Sequence, residues 1–211
     1  MKKIFVFIIL ILGLAHTIQA QFRVGLKFGA SSNNLLTSPI TVHSVNDISD
    51  FKLSLAQANY GVHAGIFTQL KIMGFFVQPE LMFNSNSSDY KISDLGKDPV
   101  SVIKRESYQN LDIPFLLGVK FGPLQLGAGP VGHVFLRSTS ELFDVAGYSQ
   151  KFKEFTYGYQ GNIALVIGKL YIDVRYENNF SKFGDHIRFF GNQYQFDKSP
   201  ARLIGSIGIA F

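Results

Sequence analysis

The chain has 211 residues, with 20 Lys and Arg against 15 Asp and Glu, a formal net charge of +5 and no cysteine. The absence of cysteine excludes disulfides and thiol catalysis, and the scattered basic residues give no support for nucleic-acid binding. Twenty Gly, 21 Phe and 9 Tyr make a heavy glycine and aromatic load.

The first element is a predicted signal peptide over residues 1–20. Met1-Lys2-Lys3 is a basic start, Ile4 to Leu12 is an unbroken apolar run, and Ile18-Gln19-Ala20 is a small-residue end. Cleavage is expected before Gln21. The apolar run is well short of the ~18 residues a spanning helix needs, so a membrane anchor is the weaker reading. With no Cys near the cleavage point, lipoprotein attachment is excluded. Setting Lys2 and Lys3 aside lowers the net charge to +3. Residues 21–211 are enough for one domain, and no later segment is apolar for long enough to form a transmembrane helix.

The first strand, Phe22 to Ala30, sets Phe22, Val24, Leu26 and Phe28 against Arg23, Gly25, Lys27 and Gly29, the period of two expected of a strand apolar on one face. After a polar segment to about Asn59, the second strand runs from Tyr60 to about Leu70, with Phe67 and Thr68 out of pattern. Lys71 to Gly74 makes a tight turn into the third strand, Phe75 to Asn84, which carries Gln78, Glu80 and Asn84 on its polar face. A polar segment over about Ser85 to Glu106 precedes the fourth strand, about Tyr108 to Phe121, where Leu111, Ile113, Phe115, Leu117, Val119 and Phe121 oppose Asp112, Pro114, Gly118 and Lys120.

Gly122-Pro123 is turn chemistry, and the fifth strand follows from Leu124 to about Leu136. A polar segment from Arg137 to about Phe152 leads to the sixth strand, about Phe155 to Ile167. Gly168-Lys169 turns into the seventh, where Leu170, Ile172, Val174 and Tyr176 oppose Tyr171, Asp173, Arg175 and Glu177. After a polar stretch from about Asn178 to Pro200, the closing strand Ala201 to Phe211 places Leu203, Ile207, Ile209 and Phe211 on one face, with Ile204 breaking the alternation.

The fold class read from this pattern is all-β: an eight-stranded antiparallel transmembrane up-and-down β-barrel. Three tight turns and both termini lie at one end and four long loops at the other, the arrangement of bacterial outer-membrane barrels. A soluble sandwich or lipocalin-like barrel also alternates, but there the apolar face is the inner one and the outer face is charged. Here the polar face is rich in glycine and holds single charges, Arg23, Lys27, Glu80, Asp112, Lys120, Asp173, Arg175 and Glu177. An eight-stranded barrel has a lumen that side chains just fill, so these charges are expected to pair across it as packing. Tyr60, Tyr108, Phe155, Tyr157, Tyr176 and Phe180 fall where an aromatic girdle is expected. An aromatic residue ending an apolar strand is expected to be the assembly signal, which makes Phe211 the address label and the barrel-assembly machinery a partner.

Several segments resemble the PorT-like family of outer-membrane β-barrel proteins. Val24-Gly25-Leu26-Lys27-Phe28-Gly29-Ala30 with Asn33-Asn34-Leu35 is similar to the family's first strand and loop. Gln78-Pro79-Glu80-Leu81 resembles its third strand, and Arg175-Tyr176 with the following Asn residues its seventh. Leu111-Asp112-Ile113-Pro114-Phe115-Leu116-Leu117 resembles the fourth, where the family usually carries Glu at the position of Asp112. The likeness covers nearly all of residues 21–211 and implies the fold and a bacterial (Gram-negative) outer-membrane location. The founding member is linked to protein secretion and gliding machinery, and most relatives have no assigned activity.

Candidate chemistry is sparse. Gly127-Ala128-Gly129-Pro130-Val131-Gly132 matches Gly-x-Gly-x-x-Gly, but a dinucleotide site needs that pattern to open a helix, and strand alternation continues here. His43, His63, His133 and His186 lack metal-ligand spacing; His63 and His133 face the predicted lumen, and no Ser is placed beside either by the sequence. Asp47, Asp50, Asp89, Asp94, Asp98, Glu141, Asp144 and Asp185 lie in loops without calcium-loop spacing and read as solvated. The reading is therefore a monomeric, non-enzymatic barrel without cofactor or metal, in contact with outer-membrane lipid, that acts on envelope protein partners through its loops. The alternatives are a lipid-modifying outer-membrane enzyme and a small-solute channel.

Overall fold

The structure, a computed structural model, describes residues 21–33, 38–43, 51–94, 101–145, 147–182, 186–194, 196, 199 and 201–211. The predicted signal peptide and the loop acids Asp47, Asp50, Asp98 and Asp185 lie outside these residues.

The described strands are β1 (Gln21–Asn33), β2 (Ile40–Val42), β3 (Phe51–Ala58), β4 (Tyr60–Ile72), β5 (Phe75–Asp94), β6 (Ser101–Phe121), β7 (Leu124–Ser140), β8 (Tyr148–Gln150), β9 (Phe155–Ile167), β10 (Leu170–Asn179), β11 (Ile187–Phe189), β12 (Asn192–Gln193) and β13 (Ala201–Ala210). Eight of them form a ring in the order β5-β4-β1-β13-β10-β9-β7-β6, and the pairing of β5 with β6 closes it. All the pairings are antiparallel, and β1 meets β13 with Gly25 opposite Ala210, so the first and last strands share a seam. A closed ring leaves no strand edge unpaired, which is what a β-structure needs in order to stand in lipid. No helix among the described residues is long and apolar enough to cross a membrane, which says nothing about strands.

The tight turns depend on backbone that turns left-handed. Met73 and Gly74 have φ of 48° and 85°, the conformation of a two-residue hairpin whose twist suits the flanking strands, and Gly122 and Gly168 supply positive φ in the other two turns.

Alternation is more regular than the sequence suggests. Phe67 does not break the second strand: it points inward and is fully buried, and Thr68 takes the outward position. Room for the ring comes from Gly25, its register partner on β1, where a Cβ would collide with the Phe67 ring. Ile204 likewise faces inward at 7 % exposure, and Gly205 is the outward residue. In both cases the backbone keeps its period of two while an apolar side chain fills the lumen.

The strands also run further than expected. The third predicted strand continues past Asn84 to Asp94, and the fourth begins at Ser101 instead of Tyr108. At ~3.3 Å per residue, β5 is about 65 Å long and β10 about 33 Å, so one side of the sheet projects far beyond the ring. There β3 takes the place of β4, pairing Phe51–Ala58 with Ser88–Asp94, and the Asn59 N–H bonds the Ser87 carbonyl at 3.1 Å where the strand is broken. The sequence reading missed this extension because it used an apolar outward face as its signal. Beyond the bilayer that face meets water, so the signal vanishes while the hydrogen-bond ladder continues.

Two apolar clusters result. Phe67, Val166, Tyr171 and Ala210 fill the lumen near the turn end. A second cluster at the loop end includes Val42, Leu53, Tyr90, Leu142, Ile187 and Phe189. Truncating Phe67 to Ala should lower stability in detergent by about 3–5 kcal/mol, as for other fully buried aromatics; guanidinium unfolding followed by circular dichroism measures it.

Candidate functional site: the closed lumen and the loop cap

From the turn end upward, β10 places Tyr171, Asp173, Arg175 and Glu177 on successive inward positions, each about 6.6 Å further along the strand. Tyr171 packs on Phe67 with ring centroids 4.9 Å apart and donates its hydroxyl proton to Gln69 Oε1 at 3.0 Å. Gln69 Nε2 in turn donates to Gln125 Oε1 at 2.9 Å and to Gln78.

The next layer is a buried ion-pair cluster. Lys27 Nζ lies 2.9 Å from Glu80 Oε1 and 3.8 Å from Asp173 Oδ2. Arg175 grips Glu80 with both terminal nitrogens, at 2.8 and 2.7 Å, and its Nε bonds Asp173 at 2.5 Å. Asn162 and Gln78 donate to the same carboxylates at 2.7 and 2.6 Å. Above it, Asp112 receives His133 Nδ1, Asn84 Nδ2 and Arg202 at 2.8, 2.8 and 2.5 Å, and Arg202 Nε also bonds Glu177 at 2.7 Å. Glu80, Asp173 and Asp112 each have at least two hydrogen-bond partners, the condition under which buried charge is tolerated.

The topology of these pairs matters more than their number. β10 and β5 are four places apart in a ring of eight, and so are β13 and β6. Arg175–Glu80 and Arg202–Asp112 therefore bridge diametrically opposite walls. Small neighbours make this possible: Lys27 is flanked in register by Gly65 and Gly208, so its long side chain crosses a wall without Cβ atoms.

Of the eight charges singled out in the sequence, the structure brings Lys27, Glu80, Asp112, Asp173, Arg175 and Glu177 together. Arg23 and Lys120 lie apart from them at the turn end, where Arg23 donates to the Gly168 carbonyl at 3.0 Å. Arg202, on the inward face of β13 two residues before Ile204, was not counted among the lumen charges, and the hydrogen bonds that join the polar-face amides of Gln69, Gln78, Gln125, Asn84 and Asn162 were not foreseen. The Gly-x-Gly-x-x-Gly stretch lies inside strand β7, which continues to Ser140, and opens no helix.

One expectation is corrected. The sequence placed no Ser beside a lumen His, but His63 Nε2 lies 2.9 Å from Ser206 Oγ. Both residues pair in register with Gly29, whose missing side chain lets them meet across β1. The pair adjoins a cavity of ≈ 20 Å³, room for one or two waters, onto which the buried Gln160 amide faces without a protein partner among the described residues. His63 and Ser206 are 8 % and 5 % exposed, and among the described residues no carboxylate is bonded to His63.

A second correction concerns the loops, which were expected to be polar and solvated. All four contribute to a folded cap: β2 and β3, the outer parts of β5 and β6, the 3₁₀ turn Glu141–Asp144 with β8, and β11 with β12. Its interior holds an aromatic stack in which Phe152 lies between Phe135 and His186, with centroids 4.0 and 4.1 Å away. His186 Nε2 lies 2.8 Å from Glu106 Oε2, and the Tyr148 hydroxyl donates to Glu106 Oε1 at 3.1 Å. The outer acids form ion pairs: Asp89 with Arg105 at 2.7 Å and Asp144 with Lys104 at 2.8 Å. The hydrogen bonds from Arg105 hold the Asp89 carboxyl below its usual range. Among the described residues there is no cluster of three His, Cys, Asp or Glu fit for a metal.

Two expected outcomes follow from this geometry. Glu80→Ala leaves Arg175 and Lys27 without their main counter-ion and should cost about 3–5 kcal/mol, and the double variant with Lys27→Met should cost less than the sum of the single changes; denaturant titrations of the four proteins measure the coupling. In the cap, burial first and then the Glu106 charge push the Tyr90 and Tyr148 phenols above their ordinary value. Their folded pKa is raised, so their stabilisation is complete below about pH 10 and is lost as pH rises through the folded values. Above about pH 10 the cap should therefore loosen, seen as tyrosinate absorbance rising together with protease sensitivity of the loops, while the barrel keeps its circular dichroism.

The outward face of the ring is apolar throughout its middle: Leu26, Ile66, Leu117, Ile163, Val174 and Ile207 are all exposed. Tyr60, Phe155, Tyr157, Tyr176 and Phe180 are exposed, and Tyr157 and Tyr159 pack on Phe180 at 5.4 and 5.5 Å. A comparison with curated proteins finds no match. Residues 17–185 match the family described as outer membrane protein beta-barrel domain, and that family implies an outer-membrane location. A closed antiparallel ring, apolar outside and charged inside, is the architecture such a domain requires, and the chain belongs to the outer membrane protein beta-barrel domain family.

Proposed function

We propose that the protein spans the outer membrane as a monomeric up-and-down barrel, reaches it through a cleaved signal peptide, and acts without catalysis by presenting its loop cap to a protein partner of the cell envelope. The observation that carries this reading is the contrast between the two parts. The lumen is crossed by diametric ion pairs, whereas the loops fold around their own apolar core. Folding loops so far from the ring orders many residues at an entropic cost, and a rigid surface for recognition gives that order a use. The resemblance to the PorT-like family points to a secretion-associated or envelope-assembly role. Outer-membrane lipid meets the apolar face, and Phe211, which is 68 % exposed at the seam, serves as the signal read by the barrel-assembly machinery.

The lipid-modifying alternative has one observation in its favour, the His63–Ser206 contact. His63→Ala should leave lipid A unchanged by mass spectrometry; loss of a lipid A species in that variant would overturn the non-enzymatic reading. The channel alternative predicts unit conductance in planar bilayers, and none is expected.

The central test uses the intact chain in cells. Phe189→Ala should open the cap to protease while the unboiled protein keeps its fast, compact gel mobility. Chemical cross-linking should capture an envelope protein with the wild type and lose it in this variant. Capture that persists after the cap is disrupted would sink the cap-recognition reading, and recovery of the wild type as soluble periplasmic protein would sink the membrane-spanning one. Replacing Phe211 with Lys should reduce outer-membrane yield without blocking export.

A further inference from the structure

The turn end of the lumen has a charge pattern unlike the rest of the wall. Residues 21–25, 69–76, 118–125, 166–171 and 208–211 include Arg23, Lys71, Lys120 and Lys169 and no Asp or Glu. Lys169 is exposed in its turn, while Arg23 and Lys120 are half-buried and Lys71 is buried. The Lys71 ammonium is enclosed, lies over the Tyr171 ring at 5.8 Å, and bonds no acceptor among the described residues. The charges that act on it are those of Arg23 and Lys120, both of the same sign. The carboxylates of the middle lumen are committed elsewhere, Glu80 and Asp173 to Lys27 and Arg175.

A second donor, one step further along the lumen, is also unpartnered among the described residues. Gln125 Nε2 is buried without an acceptor, and its oxygen is tied to Gln69, which neighbours Lys71 on the inward face of β4. Among the described residues, two buried donors lack acceptors, and the two flanking cations lie in stretches without Asp or Glu, a pattern complementary to an anion. Donors from β4 and β7, with the guanidinium N–H groups of Arg23 not engaged by the Gly168 carbonyl, suit an oxyanion with several acceptor oxygens.

We propose that the turn-end mouth of the lumen is a binding site for a phosphate-type group, held by Lys71 and Gln125 and flanked by Arg23 and Lys120. The shared chemistry is a phosphate oxyanion, whether free or carried by a phospholipid headgroup. The site lies at the end opposite the cap and is independent of the function proposed for the cap.

The test is equilibrium binding to the full chain in non-ionic detergent, titrated with inorganic phosphate, and in nanodiscs of phosphatidylcholine with and without phosphatidylglycerol. Saturable binding is expected that weakens as salt rises and falls about tenfold or more in Lys71→Met, with smaller losses in Arg23→Gln and Lys120→Gln. Binding of inorganic phosphate in detergent assigns the site to free phosphate; a phosphatidylglycerol preference without phosphate binding assigns it to the headgroup, and both support the proposal. Absence of both, binding undiminished in the variants, or binding of an acidic peptide in place of phosphate overturns it. Should Lys71→Met fail to fold, undiminished binding in Arg23→Gln and Lys120→Gln is the overturning result, since both positions are half-exposed.

Discussion

Closure of the backbone hydrogen-bond ladder is the constraint on which everything else rests. In hydrocarbon every N–H and C=O must be paired within the protein, so the strand carrying Gly25 has to meet the strand carrying Ala210, and β5 has to meet β6. A ring of eight then fixes the width of the lumen at little more than two side chains. That width explains why guanidinium groups on one wall reach carboxylates on the opposite wall. The ion pairs are a consequence of closure and at the same time fill the space that closure leaves.

Filling so narrow a tube demands complementarity between neighbouring strands. Lys27 lies between Gly65 and Gly208, Phe67 beside Gly25, and His63 and Ser206 across Gly29. Each of these inward residues has a glycine next to it in the register. The high glycine content is therefore a packing device distributed over the wall. It also accounts for glycine-rich runs that mimic a nucleotide-binding motif. The aromatic layer of Phe67 and Tyr171 then divides the lumen into an ion-paired middle and a purely cationic mouth.

The two ends of the barrel differ in what they present. At the loop end, β5, β6 and β7 outrun the ring and join β2, β3, β8 and β11 around an apolar core pinned by Glu106, His186 and Tyr148. At the turn end, enclosed donors and uncompensated cations face the other side of the bilayer. The middle of the barrel between them is filled by its own ion pairs and amides.

The strands within the bilayer were legible in the sequence, because lipid on one side and a polar lumen on the other impose a strict period of two. So were the tight turns, and six of the charges that meet in the middle. Phe67 and Ile204 read as breaks in the pattern because the inward face was expected to be polar, and Arg202, a polar-face residue, was not counted among the lumen charges. The partners that make an apolar or charged side chain fit the lumen come from strands far away in sequence. The cap was not legible for the same reason: Val42, Leu142 and Phe189 carry no local pattern and become a core only when four loops converge. The sequence by itself determined which face of each strand meets lipid, since that depends on solvent period alone. Only the tertiary structure decided which inward residues touch, because cross-lumen distance is set by ring closure and register.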